Sequence, residues 1–134
     1  MRQSGRAPEQ DALAVGLGVV AAFQLALAAG APWGVAAWGG ANPGVLPPTL
    51  RRSSAVAAVA WGAAAAAIAR PSSDTSLRQV TLLKVLAGLS GIGAAMNLAS
   101  RSHVERAIWS PFTAGLTWLS WRSLRGHPAA ASQH

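Results

Sequence analysis

Four long apolar runs, separated by short polar connectors, restrict the fold of this chain more than any other feature. The first run, residues 12–30, holds nineteen residues and would reach roughly 28 Å as a helix, at about 1.5 Å per residue. That length matches the hydrocarbon core of a bilayer, which is about 30 Å thick. The pattern therefore predicts an all-α membrane protein, built as a bundle of four transmembrane helices.

The predicted organisation is one transmembrane domain, residues 12–124, between a cytoplasmic segment, 1–11, and a disordered cytoplasmic tail, 125–134. The helices are expected at about 12–30, 54–70, 77–99 and 103–124. The first run also fits a signal peptide, because Ala26-Leu27-Ala28 resembles a small-residue cleavage site. Its length and the acids before it favour a retained helix instead.

Composition agrees with a membrane location and excludes several classes of site. Charged residues make up 11% of the chain, whereas about a quarter of the residues in a soluble domain are charged. The chain has no cysteine, which excludes disulfides and cysteine-ligated metals. The net charge of +7 is concentrated at the ends of apolar runs, so we expect membrane lipids, and not nucleic acid, as partners.

The distribution of lysine and arginine predicts the orientation. Seven of these residues lie on the side that holds both termini and the connector 70–79, and four lie on the opposite side. Because cytoplasmic loops carry the excess of basic residues, both termini are predicted to be cytoplasmic. Loops 31–53 and 100–106 would then share the external face.

Two pairs of similar segments raise the question of an internal repeat. Residues 18–26 and 91–99 are identical at five of nine positions, and residues 50–62 resemble 98–110 in the same order. A duplicated helical hairpin is one interpretation of these matches. Chance similarity in an alanine-rich chain is the other.

Polar side chains near the external face are the candidate functional residues, because polar groups in a membrane are costly without partners. Gln24 and Asn97 are predicted either to hydrogen bond between helices or to contact a ligand. Glu105 is the only acid on the predicted external side, and we expect Arg51 or Arg101 to hold it. The alternative is that these charges are solvated and only set the topology.

The complete candidate cluster, with either a ligand-binding or a structural role, comprises Arg51, Arg52, Asn97, Arg101, Glu105 and Arg106. Ser102 and Glu105 also have the spacing of a capping box at the start of the fourth helix. Pro111 would then kink that helix, unless Ser110 caps a shorter one. The predicted interfacial anchors are Trp33, Trp38 and Trp109.

Several short motifs occur together over nearly the whole chain. They read PWG at 32–34, WGG at 38–40, LP at 46–47 and LR.S at 50–53, then MN at 96–97, SRS at 100–102, ER at 105–106 and W.P at 109–111. As a set they resemble a group of small bacterial four-helix membrane proteins. The resemblance implies a retained first helix and a multi-pass protein of the bacterial inner (plasma) membrane. It supplies no catalytic residue.

The sequence lacks paired carboxylates, a metal-ligand spacing and a phosphate-binding loop, so no catalytic residue, metal or cofactor is predicted. The expected function is a non-enzymatic membrane module whose loops 31–53 and 100–106 contact a lipid, a small ligand or a protein partner. One alternative is a subunit of a small oligomeric transporter or channel, in which case a homo-oligomer is expected. A lipid-directed membrane enzyme is the second alternative.

Overall fold

Each apolar run forms a helix in the structure, a computed structural model that describes residues 8–70 and 77–125. The helices are α1 (Pro8–Ala29), α2 (Pro48–Ala69), α3 (Leu77–Leu98) and α4 (His103–Arg125). Two short 3-10 turns, Gly34–Ala36 and Trp38–Gly40, lie in the connector between α1 and α2. By length and composition, α1, α2 and α3 are apolar enough to cross a membrane. The described part of the chain is thus an all-helical protein with four long helices.

Two helices begin earlier than the sequence predicted. α1 begins at Pro8 rather than near residue 12, and α2 begins at Pro48 rather than near residue 54. A proline in the first turn is favourable, because its fixed φ suits the helix and its missing N–H has no intrahelical partner there. The earlier start of α2 places Arg51 and Arg52 in its first turns, so that they belong to a helix and not to the loop.

The fourth helix is continuous through its proline. Pro111 lies inside α4, which begins at His103, so the alternative in which Ser110 caps a shorter helix is wrong. Residues 1–7 of the predicted N-terminal segment and residues 126–134 of the predicted tail lie outside the described residues.

The helices pack most closely as two hairpins, α1 with α2 and α3 with α4, and the hairpins meet through α1 and α4. At that junction Gly16 allows a close approach, since an added Cβ would lie 2.6 Å from Leu116 Cδ2. A buried core fills the half of the bundle nearest the termini, and its residues are Leu13, Leu17, Val20, Ile68, Leu83, Leu86 and Leu116. The helices are thus arranged as two hairpins. That the hairpins arose by duplication stays a prediction.

Helix α4 carries many hydroxyl groups, and most of those in its middle are satisfied within the helix. Thr113 Oγ1 donates to Trp109 O at 2.6 Å, Thr117 Oγ1 to Thr113 O at 2.9 Å, and Ser120 Oγ to Leu116 O at 2.8 Å. A hydroxyl that bonds its own helix can lie in an apolar environment at a reduced cost. These hydrogen bonds allow α4, which has a lower hydropathy than the other three helices, to pack beside them.

Charged and aromatic side chains lie together at the end of the bundle that holds the termini. At the end near the termini, Arg122 Nη2 lies 3.1 Å from Glu9 Oε1, which joins the last turn of α4 to the first turn of α1. The guanidinium groups of Arg122 and Arg125 also lie over the rings of Trp118 and Trp121. The connector after α1 and the connector after α3 therefore lie together at the opposite end.

The end of α1 is closed by its own backbone and by a side chain of α2. Gly30 has a φ of 105°, its N–H donates to Leu27 O, and the N–H of Ala31 donates to Ala26 O. This is the Schellman arrangement, which favours glycine at the left-handed position. Arg51 Nε donates to Ala28 O at 3.0 Å and so satisfies one more free carbonyl at this helix end.

Candidate functional site

The connector 30–47 folds back on itself to form a small lid at one end of the bundle. The N–H of Gly34 donates to Gly44 O at 3.0 Å, and an added Cβ at Gly34 would overlap the carbonyl oxygen of Asn42. Ala37 and Leu46 are buried beneath the connector against Leu27 of α1. The 3-10 turns are therefore stabilised by buried apolar contacts as well as by backbone hydrogen bonds.

Three successive residues of this lid adopt left-handed backbone conformations. The φ values are 52° at Trp38, 78° at Gly39 and 71° at Gly40. Glycine adopts this region freely, whereas the non-glycine residue Trp38 is strained there by about 1–2 kcal/mol. The indole Nε1 of Trp38 donates to Ser54 Oγ at 3.1 Å, which secures the strained residue to α2.

The lid is also bound by two hydrogen bonds from side chains, one from the residue before α4 and one from α4 itself. Ser102 Oγ donates to Val35 O at 2.6 Å, and Trp109 Nε1 donates to Ala36 O at 2.7 Å. The first of these bonds joins the predicted external loops directly. The second ties Trp109 to the lid, and the predicted role of Trp109 as an interfacial anchor stays a prediction.

Glu105 lies under the lid, with only 7% of its surface exposed. Its Oε1 accepts from the N–H of Gly39 at 3.3 Å, and its Oε2 accepts from Ser100 Oγ at 2.5 Å. The predicted capping box is half formed. Ser102 Oγ accepts from the N–H of Glu105 at 3.2 Å, but Ser100 Oγ, not Glu105, accepts from the N–H of Ser102.

The expected ion pair between Glu105 and Arg51 or Arg101 is wrong for the described residues 8–70 and 77–125. Arg51 instead bonds the end of α1, because the early start of α2 directs it there. Arg101 and Arg52 are exposed, and Arg106 Nη2 lies 2.7 Å from His103 Nδ1. The arginines of the candidate cluster therefore surround this end of the bundle and leave the carboxylate to neutral donors.

A cavity of about 420 Å³ lies beneath the lid and between the helices, and we call it the lid cavity. It has the size of a small-molecule site, about 300–1,000 Å³. The lining residues are Val20, Phe23, Gln24, Ala36, Ala37, Trp38, Gly39, Trp61, Leu89, Ser90, Gly93, Met96, Asn97, Ser100, Glu105, Trp109, Thr113 and Leu116. From Glu105 to Leu116 the wall of α4 runs roughly 16 Å, at about 1.5 Å per residue.

Aromatic rings stiffen one wall of the lid cavity. The ring centroids of Phe23 and Trp109 lie 4.7 Å apart, those of Trp109 and Phe112 5.5 Å apart, and those of Phe23 and Trp33 6.0 Å apart. These are distances at which aromatic pairs attract each other. Trp38 and Trp61 add their side chains to the lining from the lid and from α2.

Two polar atoms of the cavity wall are buried without a hydrogen-bond partner among the described residues, Gln24 Oε1 and Ser90 Oγ. Burial of a polar atom without a partner is costly, so such atoms in a cavity wall indicate a polar occupant. The interhelical hydrogen bond, one of the two roles predicted for Gln24, is not formed through its Oε1 within the described part of the chain, and the other role, a ligand contact, stays a prediction. Asn97 lines the same cavity.

Of the six cluster residues, only Glu105 and Asn97 line the lid cavity. Sequence reasoning did not identify Ser90, Trp61 or the N–H of Gly39 as parts of a site. The adjacent glycines at 39–40 were the available signal, because such pairs are typical of left-handed backbone. Trp61, by contrast, lies in an alanine-rich helix with no local sign of its role.

No protein-family model, curated protein or solved structure matches this chain.

Proposed function

We propose that this protein is a non-enzymatic membrane module that binds an amphiphilic small molecule or lipid in the lid cavity. The observation that carries the proposal is the composition of the cavity wall. Apolar and aromatic side chains form most of it, while Glu105, Gln24 and Ser90 supply polar atoms at separate points. Sites for small molecules have this character, in which apolar area supplies affinity and a few polar groups set orientation.

We place this module in the bacterial inner membrane, crossing it four times with both termini in the cytoplasm. Three of the helices are long and apolar enough for this, and the bias of basic residues favours the orientation. Trp33 and Trp38, each nearly half exposed, lie where interfacial anchors would be needed on the external side. The pairs Arg122–Trp118 and Arg125–Trp121 suit the opposite headgroup layer.

Sparse packing between α2 and α3 supports an occupant that arrives from the membrane. The closest helix packing joins α1 to α2, α3 to α4 and α1 to α4. Leu89 and Met96 of α3 line the lid cavity and are nevertheless 51% and 69% exposed. In a four-span arrangement these two side chains would flank a lateral entrance that faces lipid.

The same geometry favours a binding module over the two alternatives. A transport pathway through one copy would have to cross the buried core around Leu17 and Leu83, which closes the bundle below the cavity. A hydrolytic enzyme needs a positioned acid or base beside Glu105. His103 is exposed, contacts Arg106 and does not line the cavity.

Native mass spectrometry of protein extracted in mild detergent tests the proposal. We expect the wild type to retain an amphiphile, seen as a mass adduct. Gly93→Leu, which places a large side chain in the cavity wall, should lose it. Gly88→Leu is the matched control on the same helix, because Gly88 is exposed with no atom near an added Cβ. An adduct that is absent from the wild type, or equal in both variants, would refute the proposal.

A further inference from the structure

We infer that the ligand of the lid cavity carries a positive charge: an amphiphile with an ammonium head, held by Glu105 and the surrounding aromatic rings. This inference rests on the proposed function and names the class of molecule bound. It starts from the charge of Glu105. Buried charges in proteins are normally paired, yet within residues 8–70 and 77–125 no basic side chain forms an ion pair with this carboxylate.

The hydrogen bonds of Glu105 leave room for such a head. A carboxylate has about four lone-pair sites, and Glu105 uses one on each oxygen, for Gly39 N–H and for Ser100 Oγ. Gln24 Oε1, another acceptor of the cavity wall, has no partner among the described residues. An ammonium group has only donors to offer, which complements a wall whose free polar positions are mainly acceptors.

The basic residues at this end of the bundle do not offer an equivalent site for an anion inside the cavity. Arg51 bonds Ala28 O and Arg106 contacts His103, while Arg52 and Arg101 are exposed. None of these four side chains lines the cavity. An anionic head would therefore meet the Glu105 carboxylate without a compensating cation.

The aromatic residues of the wall favour the same occupant. Phe23, Trp38, Trp61 and Trp109 all line the cavity with Glu105. Aromatic faces attract cations through the ring quadrupole, tryptophan most strongly, and the attraction grows when the cation is desolvated. Leu89, Met96 and Leu116 provide apolar surface for the body of the molecule.

The test uses three dibrominated probes that share a decyl chain: decylammonium, whose head carries three N–H donors, decanol and decyl sulfate. The protein is held in nanodiscs of a neutral glycosyl lipid that has no ammonium group. Bromine quenches tryptophan fluorescence at short range, so Trp38, Trp61 and Trp109 report occupancy of the cavity. We expect saturable quenching by the ammonium probe at concentrations at least tenfold lower than for the other two.

Glu105→Gln keeps the shape of the side chain and removes its charge. We expect it to abolish the preference for the ammonium probe while decanol still binds, which shows that the cavity is intact. Glu9→Gln is the control for net charge, because Glu9 lies at the opposite end of the bundle. Circular dichroism shows whether Glu105→Gln folds. If it does not, the order of affinity of the three probes for the wild type tests the inference by itself.

The outcomes separate the inference from the proposed function. If the three probes bind equally, or decyl sulfate binds more tightly, the inference of a cationic ligand is wrong. If Gly93→Leu also loses all binding in that case, the proposed binding module still holds. Absence of saturable quenching by every probe overturns both. A repeat with phosphatidylethanolamine in the nanodisc identifies the source of the ammonium group. A lower apparent affinity for the probe would show that a lipid head competes, and an unchanged affinity would point to a separate amphiphile.

Discussion

Glu105 on α4 accepts a hydrogen bond from the backbone N–H of Gly39, 3.3 Å away and 66 residues earlier in the chain. This bond links the left-handed segment of the lid to the single buried carboxylate of the cavity wall. It makes the shape of the lid and the position of the charge depend on each other.

Gly39 should be required for its backbone conformation and not for lack of space. Its φ is 78°, yet an added Cβ would meet no atom within 4 Å. We expect Gly39→Ala to lower the free energy of unfolding by about 1 kcal/mol, since an L-residue is strained in this region. Gly44→Ala is the control, because Gly44 has the same open space without a positive φ. Thermal unfolding in detergent measures both, and equal effects would contradict the assignment.

Arg51 should stabilise the end of α1. We expect Arg51→Ala to cost about 1 kcal/mol, because Ala28 O loses a charged donor at a helix C-terminus. Arg52→Ala removes an exposed neighbour of the same charge and should stay within about 0.5 kcal/mol of the wild type. Denaturant titration in mixed micelles, followed by circular dichroism, compares the two. If Arg52→Ala lost more stability than Arg51→Ala, the assignment of the stabilising role to Arg51 would be wrong.

Double-mutant cycles should locate the partners of Glu105. Ser100→Ala and Glu105→Ala each remove the hydrogen bond that joins the two side chains, so we expect their effects on unfolding to couple by about 1 kcal/mol. Arg51→Ala and Glu105→Gln have no shared contact in the structure and should be additive within about 0.5 kcal/mol. Coupling in the arginine cycle, together with additivity in the serine cycle, would restore the ion pair that the sequence suggested.

The absence of cysteine allows a clean test of topology by single-cysteine labelling. Ala41 and Leu77 are both exposed, and they lie in the lid and at the first residue of α3. With both termini in the cytoplasm, a membrane-impermeant maleimide should label Ala41→Cys in intact cells and Leu77→Cys only after permeabilisation. Labelling of both positions from outside would be incompatible with four spans in this orientation.

The helices were largely predictable from sequence because apolar runs, prolines and Gly30 act locally. α3 and α4 lie within one or two residues of their expected bounds, whereas the start of α2 was displaced from about residue 54 to residue 48 because Pro48 was assigned to the loop. That displacement also accounts for the wrong role of Arg51. The contacts of Glu105 were not predictable, since they depend on how the lid folds over α4. Trp61 enters the cavity only through the packing of α2 against α1.

Photolabelling tests the central claim, a ligand site beneath the lid, most directly. A decylammonium probe with a diazirine on its chain is activated in nanodiscs, and labelled residues are mapped by mass spectrometry. We expect labels on Phe23 and Ser90 that excess unlabelled decylammonium removes. Labels on Val59, which is 73% exposed on α2, should resist competition as lipid-facing background. Labelling confined to exposed positions such as Val59, with none at Phe23 or Ser90, would contradict a ligand site in the lid cavity.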